Sequence, residues 1–230
     1  MQEYEDWKNW KNEDFGKTAP EDNAYFSKIR KKFELNDNLT VLEIGFGNGN
    51  FLNYCKQNNW DVCGVEVIQE LLDRATSAGF SVYGGVDKIQ NKTFDLIVCF
   101  DVLEHIEQKA VVDFLKKINN ILNDNGSLII RTPNGASPLG LANQHGDITH
   151  VNIVTTTKIE YWCNSAGLVL KYQDGDIYPI YNGKIAKFPV RIIKRLLQLL
   201  IERLLRWIFS PQSKGFLSAN SLFLIKKYES

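Results

Sequence analysis

A glycine-rich loop holds the first residues whose types and spacing could do chemistry. Gly45, Gly47 and Gly49 stand at every second position after a short apolar run that contains Glu43. Glycine lets a ligand approach the backbone closely and tolerates positive φ angles, so this pattern is typical of a loop that wraps a ligand. A dinucleotide fingerprint, Gly-x-Gly-x-x-Gly, would require its third glycine where this chain has Asn50.

A second acidic residue supports the same interpretation. Glu66 ends the next apolar run, and a carboxylate at the tip of a neighbouring strand can accept both hydroxyl hydrogens of a ribose. Burying such a carboxylate costs desolvation free energy unless a ligand is present. Together, the loop and Glu66 predict a pocket for a nucleoside-containing cofactor. The glycine loop alone would also fit an ordinary turn between a strand and a helix.

Residues 94–100 form a nearly continuous apolar run, which is typical of a central parallel strand. Asp101 follows it directly, and the carboxyl ends of such strands form the ligand-binding edge of open α/β sheets. We therefore expect Asp101 to lie at the cofactor. The segment continues as Val-Leu-Glu-His, which ends at His105.

These motifs resemble those of class I S-adenosylmethionine (SAM) dependent methyltransferases, over roughly residues 39–172. The resemblance implies that SAM is the cofactor, with Glu43 near its amino group, Glu66 on its ribose and Asp87 on its adenine. The cofactor-binding residues implied by the resemblance are Glu43, Gly45, Gly47, Gly49, Glu66, Val67, Val86, Asp87, Phe100 and Asp101.

The Asp-Val-Leu-Glu-His segment that begins at Asp101 resembles the signature of small-molecule methyltransferases, including those of quinone biosynthesis. Nucleic-acid amino methyltransferases carry an Asn/Asp-Pro-Pro-Tyr-like motif at this point, which is absent here. We therefore expect a small-molecule or glycan acceptor, which could be lipid-linked, and no nucleic-acid partner.

The catalytic candidates are the three histidines, His105, His145 and His150. The segment from Asp147 to Val151 resembles one found in relatives that act on glycans and small molecules, and a hydroxyl acceptor benefits from a base. We expect His150 to be that base or an acceptor contact, with His145 behind it. The alternative for His150 is a loop histidine that packs or caps, and for His105 one that only fixes its loop.

The composition sets limits on these interpretations. The 230 residues suit a single domain, and 27 basic and 27 acidic residues give a net charge of zero, so nothing attracts nucleic acid globally. The four cysteines lack metal-ligand spacing, so no metal site is predicted and buried thiols in a reducing compartment are expected. The acidic start of the chain is unlike a signal peptide. We expect a cytoplasmic protein.

Alternating strand and helix patterns predict an α/β, Rossmann-like doubly wound sheet of seven strands, whose last strand is antiparallel. A helical insertion precedes that last strand. The whole chain, 1–230, is predicted to form one domain with an N-terminal cap at 1–38 and the insertion at 174–219. The predicted strands span residues 39–44, 61–66, 80–83, 94–100, 127–132, 168–172 and 221–227. The predicted helices span residues 20–35, 51–58, 69–78, 108–122, 155–167 and 187–209.

The helix at 187–209 has three open interpretations. Its six basic residues against Glu202 give a net charge of +5, and the charges recur too often for a transmembrane span. We expect its apolar face to be buried in the core on the substrate side of the sheet. The alternatives are a homodimer interface and an interfacial helix on an anionic membrane, at the inner face.

The leading functional hypothesis is SAM-dependent methyl transfer to oxygen of a small molecule or glycan, with a place in surface-polysaccharide biosynthesis. A small-molecule N-methyltransferase is the alternative among methyltransferases. A NAD-dependent oxidoreductase ranks third, since Gly49 comes one residue too early. Outside enzymes, a non-catalytic SAM-binding adaptor that acts through its C-terminal helix remains open.

Overall fold

The computed structural model describes residues 15–177, 188–209 and 215–228. The strands are β1 Thr40–Ile44, β2 Asp61–Val65, β3 Ser81–Tyr83, β4 Phe94–Phe100, β5 Leu122–Pro133, β6 Leu168–Gly175 and β7 Asn220–Lys227. The helices are α1 Pro20–Lys32, α2 Asn50–Gln57, α3 Gln69–Ser77, α4 Val111–Ile121, α5 Leu141–Gly146, α6 Thr156–Ser165 and α7 Phe188–Phe209. Parts of the predicted cap (1–14) and insertion (178–187 and 210–214) lie outside the described residues.

The seven strands form one sheet in the order β3-β2-β1-β4-β5-β7-β6. Strands β1 to β5 pair in parallel, whereas β7 runs antiparallel to both of its neighbours, β5 and β6. This arrangement confirms the predicted seven-stranded Rossmann-like sheet with an antiparallel last strand. The carboxyl ends of β1, β2 and β4 therefore lie side by side at one edge.

The sheet is covered on both faces, as a mainly parallel sheet requires. On one face, Leu115 of α4 and Trp162 of α6 pack against Ile97 of β4. On the other, Phe26 of α1 belongs to a cluster with Leu96 of β4. The alternation of Leu96 and Ile97 between the two clusters follows from the two-residue period of a strand. Helix α1 thus packs its apolar residues Phe26 and Ile29 on the sheet.

Strand β5 begins five residues earlier than predicted. Leu122 is buried and pairs with Phe94, ahead of a register shift between Phe94 and Leu96. The side chain of Asn123 donates a hydrogen bond to Asp95 Oδ1 at 2.6 Å. The asparagine-rich stretch, which reads as a turn, is therefore held in an extended conformation by its neighbour in the sheet.

The connection after β5 contains the short helix α5, which the sequence pattern did not predict. Buried Asn134 anchors its start, because its amide donates to the carbonyl oxygens of Gly215 (3.1 Å) and Ser218 (3.2 Å). Its side-chain oxygen accepts from the backbone N–H of Ala136 at 3.1 Å. The loop is thereby fixed to the segment before β7.

Helix α7 lies between β6 and β7 in the chain, as predicted, but the expectation that its apolar face is buried in the core is wrong. Leu200 is 65% exposed and Trp207 is 82% exposed. The less exposed residues of the helix are Arg191, Glu202 and Arg206, together with Ile192 and Leu205. The helix is therefore turned with its apolar side outward.

All four cysteines are buried free thiols, which agrees with the prediction. Burial raises the pKa of the Cys163 thiol to about 12. The pKa of Cys99 rises as well, because burial is joined by the charges of Glu43 and Glu104. The thiols of Cys99 and Cys163 therefore stay protonated at neutral pH.

Candidate functional site

The glycine loop has the backbone conformation that its composition predicts. Gly45, Gly47 and Gly49 have φ angles of 71°, 50° and 72°, in the region that favours glycine. A Cβ atom on Gly45 would lie 2.6 Å from Val102 Cγ2, and one on Gly49 would lie 2.8 Å from Phe15 Cζ. The loop connecting β1 to α2 therefore requires glycine at these positions.

Glu43, near the end of β1, is a buried acid at the wall of the cavity described below. Burial raises its pKa well above the ordinary value, and the charge of Glu66 adds to this effect. Its Oε2 atom has no hydrogen-bond partner among the described residues. A buried acceptor of this kind suits a ligand that brings a donor.

Glu66 lies directly after β2 and is buried. Its Oε2 accepts a hydrogen bond from Gly47 N at 3.2 Å. Its Oε1 accepts from Val67 N at 2.7 Å and from Ile68 N at 3.3 Å. The carboxylate thus ties the glycine loop to the start of α3, a positioning function that the sequence pattern did not indicate.

The turn after β3 forms another part of the wall. Val86 and Asp87 lie in a single 3₁₀ turn, Val86–Lys88, and both line the cavity. Asp87 is exposed, and its carboxylate lies 3.8 Å from Lys88 Nζ. Val67, at the start of α3, is also exposed and lines the cavity. Asp87, which the resemblance assigns to the adenine, thus lines the same cavity as Val67 and Val86.

At the end of β4, Asp101 adopts a φ of 58°, which is uncommon for a residue other than glycine. Its carboxylate forms a two-pronged ion pair with Arg131 of β5. Burial opposes the charged form of Arg131, but Asp101 and nearby Tyr25 raise its pKa well above the usual value. The guanidinium carbon lies 5.4 Å from the centroid of the Phe100 ring, within reach of a cation–π interaction.

Arg131 was missed by the sequence-based prediction. A signal for it exists, because Arg131 is a lone charge at the end of the apolar run 128–130. Its register opposite Phe100 in the parallel pair of β4 and β5 places it beside Asp101. Only the strand pairing reveals that partnership.

His150 lies in the loop before α6, with its ring largely buried. Its Nδ1 is 3.1 Å from the carbonyl oxygen of Gln144, and since a carbonyl only accepts, Nδ1 carries the proton. In the neutral ring, Nε2 is therefore the nitrogen that can accept a hydrogen bond or a proton. Nε2 lies 3.7 Å from Asp147 Oδ2 and 4.0 Å from Oε1 of the fully buried Glu104.

His105 stands beside this ring, with centroids 4.7 Å apart at an interplanar angle of 68°. Its Nδ1 lies 3.3 Å from the carbonyl oxygen of Thr149 and 3.1 Å from the Thr149 hydroxyl. That hydroxyl donates to Asp147 Oδ1 at 2.5 Å, so Nδ1 of His105 is the donor toward Thr149. Both imidazoles are thus held in fixed orientations.

The histidines separate into two groups. His105 and His150 line the cavity, whereas His145 is exposed on α5 and is absent from the residues lining it. Glu104, His105 and His150 bring one carboxylate and two imidazoles within 4.8 Å of one another, a set that could hold a metal ion. The sequence spacing did not predict this set, because a loop distant in sequence brings His150 to it.

One cavity of about 1620 Å³ joins the glycine loop to the two histidines. This exceeds the roughly 300–1,000 Å³ of a typical small-molecule site, so it can hold a cofactor together with a second molecule. Residues of α1 also line it: Glu21, Asp22, Tyr25 and Phe26. The cofactor positions and the histidines therefore share one space.

The chain is similar to known proteins in sequence and in structure. Residues 18–173, more than half of the chain, match a family model described as a methyltransferase domain. The crystal structure of a SAM-dependent methyltransferase from Archaeoglobus fulgidus superposes with a TM-score of 0.67 at 18% identity, covering 98% of this chain and 99% of that one. The CcbJ methyltransferase from Streptomyces caelestis gives a TM-score of 0.62 at 13% identity, covering 96% and 100%.

Similarity in sequence is confined to shorter segments. An uncharacterised protein of Methanocaldococcus jannaschii is 31% identical over 106 residues, which are 45% of either chain. The ubiquinone biosynthesis O-methyltransferase of Rickettsia bellii is 22% identical over 120 residues, 49% of either chain. The matches thus span about half the length of these curated relatives.

Proposed function

The chain belongs to the methyltransferase domain family, and from this premise we propose that it transfers a methyl group from SAM to an oxygen atom of a small molecule or glycan. The observation that carries the proposal is the shared cavity, with the glycine loop at one part and His105 and His150 at another. A methyl donor bound on the loop would therefore meet an acceptor held beside the histidines.

The residues at the loop fit SAM. The positive φ angles of the glycines open the backbone to the ligand, and Oε2 of Glu43, which has no partner among the described residues, suits the ligand's amino group. Glu66 would take the ribose and Asp87 the adenine amino group. When bound, SAM supplies a methyl group that is already activated by its sulfonium charge.

In the proposed reaction His150 acts as the general base. Its Nδ1–H is held by the Gln144 carbonyl, which leaves Nε2 to take the proton of an acceptor hydroxyl. The carboxylates of Asp147 and Glu104, at 3.7 and 4.0 Å from Nε2, would stabilise the imidazolium that results. After methyl transfer, the proton and its positive charge thus remain on His150.

The loop that contains His150 is fastened to the segment that follows β4, in which Asp101 and Glu104 lie. The backbone N–H groups of Val151 and Asn152 both donate to the Glu104 carbonyl, at 2.9 and 3.0 Å. The amide of Gln144 in turn donates to the Asn152 carbonyl at 3.2 Å. This bonding holds His150 beside the end of β4, and such positioning is the main contribution that a protein makes to in-line methyl transfer.

Oxygen as the acceptor atom is supported by the Asp-Val-Leu-Glu-His segment and by the Rickettsia bellii relative, which is named an O-methyltransferase. A glycan acceptor and a place in surface-polysaccharide biosynthesis rest on the likeness of the Asp147 to Val151 segment to relatives that act on glycans. An N-methyltransferase would use the same pocket but would not require a base for an acceptor amine that is already neutral.

The decisive experiment has two parts. Calorimetry with SAM and with S-adenosylhomocysteine should show binding of both, and lack of binding by either would contradict the proposal. Incubation with isotopically labelled SAM and a panel of phenols, quinols, sugars and amines should then label a hydroxyl-bearing acceptor. If mass spectrometry places the methyl group on nitrogen, the protein is an N-methyltransferase and the assignment to oxygen is wrong. Binding of SAM without any methyl transfer would favour the non-catalytic adaptor.

A further inference from the structure

The outward face of α7 presents several large apolar side chains to solvent. Exposed residues recur at three- and four-residue spacing, which places them on one side of the helix. They are Ile193, Leu196, Leu200, Leu204 and Trp207. A contiguous apolar surface of this kind marks an interaction site.

The opposite side of α7 faces the protein. Arg191, Glu202 and Arg206 are partly buried there, and Arg206 donates to Glu202 Oε1 at 2.9 and 3.2 Å. The pKa of Lys28 in α1 is lowered mainly by burial and, to a smaller extent, by the positive charge of Arg195. This effect indicates that Arg195 is on the side of α7 that faces α1. An amphipathic helix usually buries its apolar side, so the orientation of α7 is reversed.

Basic residues border the apolar face. At 3.6 residues per turn, Lys194 and Arg203 project about 180° apart, which places them at opposite edges of that face. Both are exposed. Within α7, five basic residues stand against Glu202 as the one acid. Cationic edges around an apolar face complement a surface that has anionic groups above an apolar interior.

We propose that α7 binds an anionic lipid bilayer, with its apolar face in the interfacial region and Lys194 and Arg203 at the lipid phosphates. Trp207 suits this depth, because its indole has an apolar body and a polar N–H. No helix among the described residues is long and apolar enough to cross a bilayer. A second copy fits less well, since pairing the two faces would bring cationic edges together.

Bound in this way, α7 brings the cavity close to the lipid surface. Lys28, whose pKa is lowered by burial and by the charge of Arg195, follows the cavity-lining Tyr25 by one turn of α1. Asp176 and Ile177, which also line the cavity, end the described segment that precedes α7. The inference concerns attachment alone and does not depend on methyl transfer.

The test is co-sedimentation of the full chain with vesicles of phosphatidylcholine alone or mixed with phosphatidylglycerol. We expect binding to the anionic vesicles that weakens with added salt, and little binding to neutral ones. The double variant Lys194→Glu, Arg203→Glu should lower the partition coefficient at least about tenfold, given the contribution of each basic residue near an anionic surface. Leu200→Asp should lower it by a similar factor.

Matched controls are Tyr161→Ala, which removes an exposed apolar side chain from α6, and Lys116→Glu, which reverses an exposed charge on α4. Both should bind vesicles as the unchanged protein does. Retained affinity for S-adenosylhomocysteine shows that each variant is folded. Absence of vesicle binding, or equal binding of Leu200→Asp, would overturn the proposal. A dimer in solution that Leu200→Asp abolishes, without vesicle binding, would assign the face to a second copy.

Discussion

The part of the cavity at the glycine loop is formed by residues close together in the chain, whereas the part at His150 is assembled from residues far apart. Gly45, Gly47 and Gly49 act through the backbone angles of a single loop. His150 instead depends on Gln144, and its neighbour Glu104 comes from a segment 46 residues earlier. The glycine loop can therefore be recognised from a local motif, while acceptor chemistry depends on how one loop docks on another.

The largest predicted effect distinguishes the part of the cavity at His150 from the part at the glycine loop. His150→Ala should lower turnover by about 10²–10⁴-fold, the usual contribution of a general base, and leave affinity for S-adenosylhomocysteine unchanged. Steady-state rates and calorimetry measure the two quantities. His145→Ala is the matched control, because that imidazole is exposed and lies apart from the cavity lining. Turnover like that of the control would remove His150 from the role.

A chelator sharpens the same prediction. Glu104, His105 and His150 could hold a metal ion, so a base and a metal ligand must be distinguished. If His150 acts as the base, turnover should be unaffected by EDTA. A rate that EDTA abolishes and a divalent cation restores would assign the cluster to metal binding instead.

On the cofactor side, Glu66→Ala should weaken binding of SAM by about 1.5–3 kcal/mol, the range for a hydrogen bond to a charged group. At saturating SAM the rate should recover, because the histidines are unchanged. Glu70→Ala, at an exposed position on α3, serves as the control. An affinity equal to that of the control would mean that Glu66 acts only on the loop backbone.

Gly45→Ala addresses the loop geometry and should cost about 1–2 kcal/mol, since a side chain at positive φ is strained. The added Cβ would also meet Val102, so cofactor affinity should fall as well. Gly79→Ala offers a close match, with a φ of +80° but nothing within 4 Å of a Cβ. It should lose stability, measured by urea unfolding, and keep its affinity. Equal affinities in both variants would contradict the assigned loop function.

The smallest effect concerns Glu43 and pH. Burial raises its pKa in the folded state above the unfolded value, so its ionisation destabilises the unliganded protein as pH rises past that unfolded value. Glu43→Gln should therefore stabilise the unliganded protein near neutral pH by on the order of 1 kcal/mol and have little effect below pH ~4. Urea unfolding at several pH values checks this, with Glu107→Gln as the exposed control. A constant difference across pH would contradict the ionisation.

Local motifs predicted the first half of the sheet because the ends of β1 to β4 coincide with a change from apolar to glycine or acidic residues. The seven-stranded sheet and the antiparallel β7 are confirmed. The short helix α5 was not predicted because the loop that contains it is held by hydrogen bonds from buried Asn134 to the segment before β7. No spacing within the loop encodes those contacts.

The orientation of α7 could not be predicted either. Its three- and four-residue periodicity indicates which side is apolar but does not say which side meets the protein. The usual rule that the apolar side is buried gave the wrong answer, since Leu200 and Trp207 are exposed. The pairing of Asp101 with Arg131 was not predicted either, because strand register rather than proximity in the sequence brings the two side chains together.

The three backbone N–H groups around Glu66 have a consequence for release of the spent nucleoside. A carboxylate has about four lone-pair positions, and the bonds from Gly47, Val67 and Ile68 occupy three of them. When a ribose departs, the carboxylate is left solvated by the protein itself rather than bare. About one position remains for a ribose hydroxyl, so release of the spent nucleoside leaves the carboxylate with most of its hydrogen bonds in place.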